Sequence, residues 1–201
     1  MTDAGLAMED FYFKYKSRIE PKKGCLLISE PFLPDPNFQR TVILLCDYNP
    51  EGAFGFVLNK PSGIKLNEII EIGDLFDKQV YIGGPVQHDT LHFLHTASGY
   101  LNGGTEVYDG LYWGGDFEQL TSLIENGQAS KEDFRFFIGY SGWGPQQLDM
   151  EIEENSWILS PPIDSSKLLT TPSQELWKVV LKELGGRFEM YSKYPSDPRL
   201  N

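Results

Sequence analysis

The chain has 201 residues, of which 40% are hydrophobic and 13% aromatic, and it carries a formal net charge of -12. A fold of this size buries roughly 70% of its extended-chain surface, and there is enough apolar material to fill such a core, so disorder is excluded for the body of the protein. The acidity also excludes a basic nucleic-acid face: between Lys78 and Lys167, Lys131 and Arg135 stand against thirteen carboxylates, and nucleic-acid binding needs clustered cations that release counterions.

In chain order, Met8 to Ile19 reads as a short amphipathic helix, with Phe11, Tyr12 and Tyr15 at helical spacing. The basic residues nearby, Lys14, Lys16, Arg18, Lys22 and Lys23, read as a solvated helix edge. Gly24 to Ser29 is a strand, and in the loop after it Asp35 can cap a single turn that begins with Pro36. Thr41 to Cys46 and Ala53 to Leu58 form a hairpin around Asn49, Pro50 and Gly52, and Leu66 to Ile70 is a helical turn.

Val80 to Ile82 and Thr90 to His95 are strands around Gly83-Gly84-Pro85, and Thr105 to Tyr108 follows a turn at Asn102-Gly103. Asp116 opens a helix with Gln119 three positions on; Phe117, Leu120, Leu123 and Ile124 make its buried stripe, and Asn126-Gly127 end it. Phe134 to Gly139 is a strand, Gln146 to Asn155 a helix and Trp157 to Leu159 a strand. In the last helix Thr171 is the cap, Pro172 the first position and Gln174 the closing residue of the box; Trp177, Val180, Leu181 and Leu184 share a face, and Gly185 stops it.

Strands and helices mix without regular alternation, which indicates an α+β fold. The expected organisation is an N-terminal helical arm over 1–23, one domain over 24–190 and a polar tail over 191–201. Residues 1–20 hold no signal-peptide core, and no apolar run of about eighteen residues occurs, so a cytoplasmic location without membrane contact is expected. Cys25 and Cys46 sit in apolar strands with no C-x-x-C spacing, which reads as two buried free thiols.

Five motifs stand in order: GCLLISEPFLPDPNFQRTVILL, GAFGFVLNKP, VYIGGPVQHDTLHFLH, GYSGWGPQQLDMEIEENSW and LWKVVLKELG. Running from Gly24 to Gly185, they resemble the bacterial AlgH/YqgE family. The resemblance implies a bifurcated, partly barrel-like mixed β-sheet with packed helices in a single domain. It also implies a label of transcriptional regulator, but no established activity. Arg40, Asn59, Gly83, Gly84, His95, Gly139, Tyr140, Gly142, Trp143, Asp149 and Trp157 match the family pattern. Asp47-Tyr48 stands where many relatives carry Glu-His, and Thr90-Leu91-His92 replaces a more usual Arg-Gly-Phe, so a role that needs a histidine after the second strand is absent here.

Candidate chemistry concentrates between Gly139 and Asp149. Ser141 lies where a strand meets a helix, yet a nucleophile elbow needs glycine at its fifth position and Trp143 stands there; a turn residue is expected. His92 and His95 point to opposite faces of a strand and cannot converge on a metal; His95 reads as a hydrogen-bonded structural residue, His88 and His92 as surface. Asp149 and Glu151 diverge by about 200° on a helix, and together with Glu153 and Glu154 read as a solvated acidic face. Gly83-Gly84-Pro85 lacks a following helix, which suits a backbone crossing rather than a phosphate cradle. The start of the helix after Gly142-Trp143-Gly144-Pro145 is uncharged until Asp149 and could hold an anion through backbone N–H groups.

These readings favour a cytosolic binding or regulatory module with no catalytic set, no cofactor and no metal. Its expected ligand surface comprises Ser141, Gly142, Trp143, Gly144, Gln146 and Gln147, with Arg40, Asn59 and His95 brought alongside by the fold. Its expected partner is a small anionic ligand or a protein. The alternatives are a hydrolase or transferase acting on a small anionic substrate near Trp143, and a transcriptional regulator acting through protein partners.

Overall fold

The computed structural model describes residues 19–31, 33, 35, 38–72 and 76–194. The helix expected over Met8 to Ile19 lies outside them except for Ile19, as do Lys14, Lys16, Arg18 and Pro36. Ten strands form one mixed sheet: β1 (Leu26–Ser29), β2 (Val42–Asn49), β3 (Gly52–Val57), β4 (Pro61–Lys65), β5 (Gln79–Ile82), β6 (Val86–His95), β7 (Thr105–Tyr108), β8 (Leu111–Trp113), β9 (Phe134–Trp143) and β10 (Trp157–Ser160). Around it pack α1 (Phe117–Glu125), α2 (Gln147–Glu153), α3 (Ser165–Thr170), α4 (Ser173–Leu184) and α5 (Gly186–Tyr191). The order along the sheet is β10-β1-β2-β3-β9-β6-β8-β7, with β4 and β5 off that path, and β10 and β7 remain unjoined edges. The fold is α+β with a branched sheet that does not close into a barrel.

The branch is at β9. One of its edges pairs antiparallel with β6, and the other changes partner part-way along. Phe136 to Ile138 pair parallel with Val80 to Ile82 of β5, and Ser141 to Trp143 pair antiparallel with Ala53 to Gly55 of β3. Gly139 sits between the two pairings in a left-handed conformation, φ +67°. A Cβ there would lie 2.7 Å from the Val86 carbonyl oxygen and 2.9 Å from that of Gly84. Gly83 closes the fork by donating its N–H to Ile138 O at 2.9 Å and accepting from Val57 N at 2.8 Å. The backbone crossing expected at Gly83-Gly84 is what the fold contains.

Alternation along the strands divides the apolar residues among three cores. In β2, Val42, Leu44 and Cys46 face the main core with Phe56, Phe137 and the α4 residues Trp177, Val180 and Leu181. Ile43 and Leu45 face the other way, onto Trp143, Leu148 and Trp157 beneath α2. Phe93, Phe134 and Phe136 pack with Leu120 and Ile124 of α1. Because these strands are buried on both faces, they read in sequence as unbroken apolar runs.

Several local expectations change. Phe117 is exposed, because the α1 stripe that reaches the core is Leu120 with Ile124. Asp116 does cap α1 by accepting from Gln119 N. The Thr171 hydroxyl donates to Lys167 O at the end of α3, and Pro172 occupies the cap position of α4 without a side-chain bond; an adjacent helix absent from the periodicity reading claimed the threonine. The strand expected to stop at Gly139 continues to Trp143. Strands β4 and β8 and helices α3 and α5 were too short to show a period.

Arg135, only 2% exposed, fastens the helices to the sheet. Its guanidinium donates to Leu58 O, Leu169 O and Thr171 O at 2.9, 2.8 and 3.0 Å, and it stacks 4.7 Å above the Tyr81 ring. Cationic donors complement the negative end of a helix dipole, here that of α3. Because the fork leaves no space for a side chain, Gly139→Ala should lower the unfolding free energy by roughly 3 kcal/mol or more. Urea denaturation against Gly110→Ala, where a Cβ would meet nothing within 4 Å, separates the crossing from strain of φ alone.

Candidate functional site

A concavity of 580 Å³ lies at the tip of the β2–β3 hairpin. Phe54 and Phe56 of β3, His92 of β6, Trp113 of β8 and Tyr140 of β9 form its wall, and Asp47, Asn49 and Glu51 stand at the hairpin end. Phe54 and Phe56 share a face because strand side chains alternate. The rings contact one another obliquely, with centroids 4.7 Å apart for Phe54–Trp113, 6.2 Å for Phe54–Tyr140 and 6.0 Å for His92–Tyr140. At the far end of the hairpin the main core is filled by Trp177 and its α4 neighbours, so the cavity is the open end of that core.

His92, expected at the surface, is half-buried among Phe56, Trp113 and Tyr140. Its Nε2 is covered and has no hydrogen-bond partner among the described residues. Burial lowers its pKa below the ordinary histidine value, so the imidazole is neutral near pH 7. The entry to β6 is irregular: Val86 pairs with Tyr140 and Leu91 with Ile138, which leaves Gln87 to Thr90 as a bulge, and Gln87 adopts φ +50° at the cavity edge. Bulges of this kind re-aim side chains beside sites.

Behind the cavity, Glu151 of α2 holds two tryptophans. Its Oε2 accepts from both Trp143 Nε1 and Trp157 Nε1 at 2.8 Å, and its Oε1 accepts from Gln147 Nε2 at 3.0 Å. Asp149 accepts instead from the Tyr48 hydroxyl at 2.6 Å. The two carboxylates do diverge, but neither belongs to a solvated face; only Glu153 and Glu154 are exposed. The bond to Asp149, helped by burial, pushes the Tyr48 pKa up to about 12.

The AlgH-like family matches residues 26–189 of this chain. The chain belongs to the AlgH/YqgE family. A UPF0301 protein of Cytophaga hutchinsonii is 44% identical over 180 residues, covering 89% of this chain and 98% of its own length. One from Chlorobaculum tepidum is 42% identical, covering 90% of this chain and 96% of its own. Among solved structures, the AlgH protein of Pseudomonas aeruginosa superposes with a TM-score of 0.69 at 28% identity, over 90% of this chain and 98% of that one. A Corynebacterium diphtheriae protein at 22% identity gives a TM-score of 0.72, over 89% and 95%, and shows the shared fold.

Of the nine residues expected to form one ligand surface, Gly142 and Trp143 line the cavity. Trp143 is 7% exposed, its indole turned into the core under α2. Ser141 is a fully buried strand residue whose hydroxyl donates to Gly83 O at 3.2 Å, not a turn residue. Gly144, Gln146 and Gln147 are exposed at the start of α2, where the Gly144 N–H is already taken by Gln147 Oε1. His95 is sealed in another core, stacked on Tyr112 and Phe134, with Nδ1 accepting from Ala97 N. Burial lowers its pKa, and the Gly114 carbonyl beside it opposes the shift.

Arg40 and Asn59 meet elsewhere. Asn59 Nδ2 donates to Arg40 O at 2.8 Å, Asn59 Oδ1 accepts from Val42 N at 2.9 Å, and the Arg40 guanidinium lies 4.8 Å over Trp177 and donates to Tyr194 O. They line a separate pocket of 280 Å³ with Lys60, Ser173, Gln174 and Lys178. Among the described residues, no group of three or more His, Cys, Asp or Glu side chains could hold a metal ion. Sequence reasoning missed Phe54, Phe56, His92, Trp113 and Tyr140. Strand alternation puts Phe54 and Phe56 on one face, but it does not distinguish a filled core from an open one.

Two outcomes follow from the clamp behind the cavity. Glu151→Ala strands two buried indole N–H groups and should cost about 2–4 kcal/mol in urea unfolding, whereas Glu151→Gln, which keeps an acceptor, should cost about 1 kcal/mol. Ultraviolet titration should show Tyr48 ionising near pH 12. Since the folded pKa lies above the free value of about 10, its contribution to stability is whole below pH 10 and is lost as pH rises through 12. Asp149→Ala should bring the titration back toward the free value.

Proposed function

We propose that this chain is a small-molecule-binding module with no catalytic role of its own, and that its ligand occupies the cavity at the β2–β3 hairpin tip. The supporting observation is the make-up of that cavity. Its 580 Å³ lies within the usual range of small-molecule sites, roughly 300–1,000 Å³. Rings from four successive strands of the sheet converge there, and the described lining residues include no serine, threonine or cysteine. His92 Nε2 bonds to neither Asp47 nor Glu51 among the described residues, so the cavity shows no nucleophile held by an oriented base.

The buried thiols of Cys25 and Cys46 suit a reducing, cytoplasmic compartment. With a net charge of -12, a regulatory role would run through protein partners rather than direct DNA contact. A second reading concerns anions. The pocket that joins Arg40 and Asn59 also gathers Lys60 and Lys178 without a carboxylate among its described lining residues. A small oxyanion is better served there than beside Trp143, and Lys178→Glu should remove any thermal stabilisation by phosphate.

Trp113→Ala carries the main test. Ligand-observed NMR with a fragment set of cations, neutral compounds and anions should show binders to the native protein. Their affinity for Trp113→Ala should fall at least about tenfold while circular dichroism stays unchanged. Equal binding to Trp113→Ala and Phe54→Ala would move the site away from this cavity.

A further inference from the structure

We infer that the ligand of the hairpin-tip cavity is a small organic cation, an alkylated ammonium seated against Phe54, Trp113 and Tyr140 with Asp47 and Glu51 at the mouth. The inference rests on the reading of this cavity as the ligand site and adds the chemical class of the ligand. Phe54, Trp113 and Tyr140 are each half-buried, and their contacts with one another are edge-to-face or otherwise steeply inclined. Rings packed at such angles leave π-faces available, and a π-face presents negative potential that attracts a cation.

Charge points the same way. Asp47 and Glu51 are the charged side chains among the described lining residues, and neither makes an ion pair with a described residue. Asp47 is held in place: Oδ1 accepts from Tyr48 N and Oδ2 from Asn49 Nδ2, both at 2.9 Å. The turn itself is pinned by Asn49 Oδ1 accepting from Glu51 N at 2.8 Å. This fixes negative charge at the mouth without neutralising it. Burial disfavours the charged form of the His92 imidazole within the wall, so no positive group among the described lining residues opposes an incoming cation. The protein's cationic pocket, with Arg40, Lys60 and Lys178, is a different one.

Other occupants fit less well. An anion would meet two carboxylates with no cation to offset them. A neutral apolar molecule would fill the rings but desolvate the carboxylates at the mouth without compensation. An ammonium group wrapped in methyl or methylene groups satisfies both surfaces, since its alkyl shell packs on the rings while its charge remains within reach of the mouth.

Calorimetric titration of the full chain with choline, with its uncharged isostere 3,3-dimethylbutanol and with propionate tests this. Choline should bind at least about tenfold more tightly than the isostere and should shift the Trp113 indole resonance. Asp47→Asn combined with Glu51→Gln, at positions outside the core, should weaken choline by about tenfold and leave the isostere unchanged. Equal or tighter binding of the isostere or of propionate at Trp113 overturns the cation while leaving the cavity as the ligand site. Silence from all three also overturns it, and the fragment screen on Trp113→Ala then judges the cavity separately. A trimethyl-lysine peptide that binds more tightly than choline reassigns the cation to a protein side chain and overturns a small-molecule ligand.

Discussion

Three glycines at the sheet fork allow three strand backbones to meet without side chains between them. A Cβ on Gly83 would stand 2.3 Å from Gly139 O, and one on Gly84 would stand 2.2 Å from the Tyr140 carbonyl carbon. That contact lets β9 exchange β5 for β3 along one edge while β6 follows the other. It also seats Ser141, whose hydroxyl bonds to the Gly83 carbonyl. Without the fork, β3 and β5 would compete for the same edge of β9, and the two halves of the sheet would separate.

The fork determines which end of the hairpin stays open. The β2–β3 hairpin has helices at one end, where Arg135 ties Leu58 to the last carbonyls of α3 and Arg40 rests on Trp177. At the other end Phe54, Trp113 and Tyr140 line an open cavity that no described element covers. Charge follows the same polarity, with Arg40, Lys60 and Lys178 at the helical end and Asp47 and Glu51 at the tip. The corner from Trp143 to Trp157, bound through Glu151, supports the cavity from behind, and Trp143 also lines it.

How far the sequence could be read differs by element. The hairpin, α1 and α4 follow from period and capping because each buries a full stripe. The run from Gly139 to Pro145 misled for a physical reason: glycines and a proline mark turns in isolation, but Gly139 and Gly142 here belong to a strand whose neighbours approach too closely for side chains. Ser141 therefore reads as a turn residue in sequence and lies inside the sheet in the fold. Asp149 and Glu151 read as solvated because helix periodicity cannot see an indole or a phenol arriving from another strand. The apparent coupling of Arg40 and Asn59 with Trp143 came from shared loop positions, and the fold puts the first two at the opposite end of the hairpin.

By itself the sequence determined the α+β class, the family, the apolar strands, the free buried thiols and an acidity that argues against nucleic acid. The family rests on the resemblance of its ordered motifs, and the rest depends on composition and on periods of two or 3.6 residues, which local chemistry imposes. Only the tertiary structure decided which apolar face is a packed core and which an open cavity, because the two have the same alternation and differ only in whether another element arrives to cover them. Helix α4 covers one end of the main core. The tip of the β2–β3 hairpin remains open, with its aromatic wall and its two carboxylates.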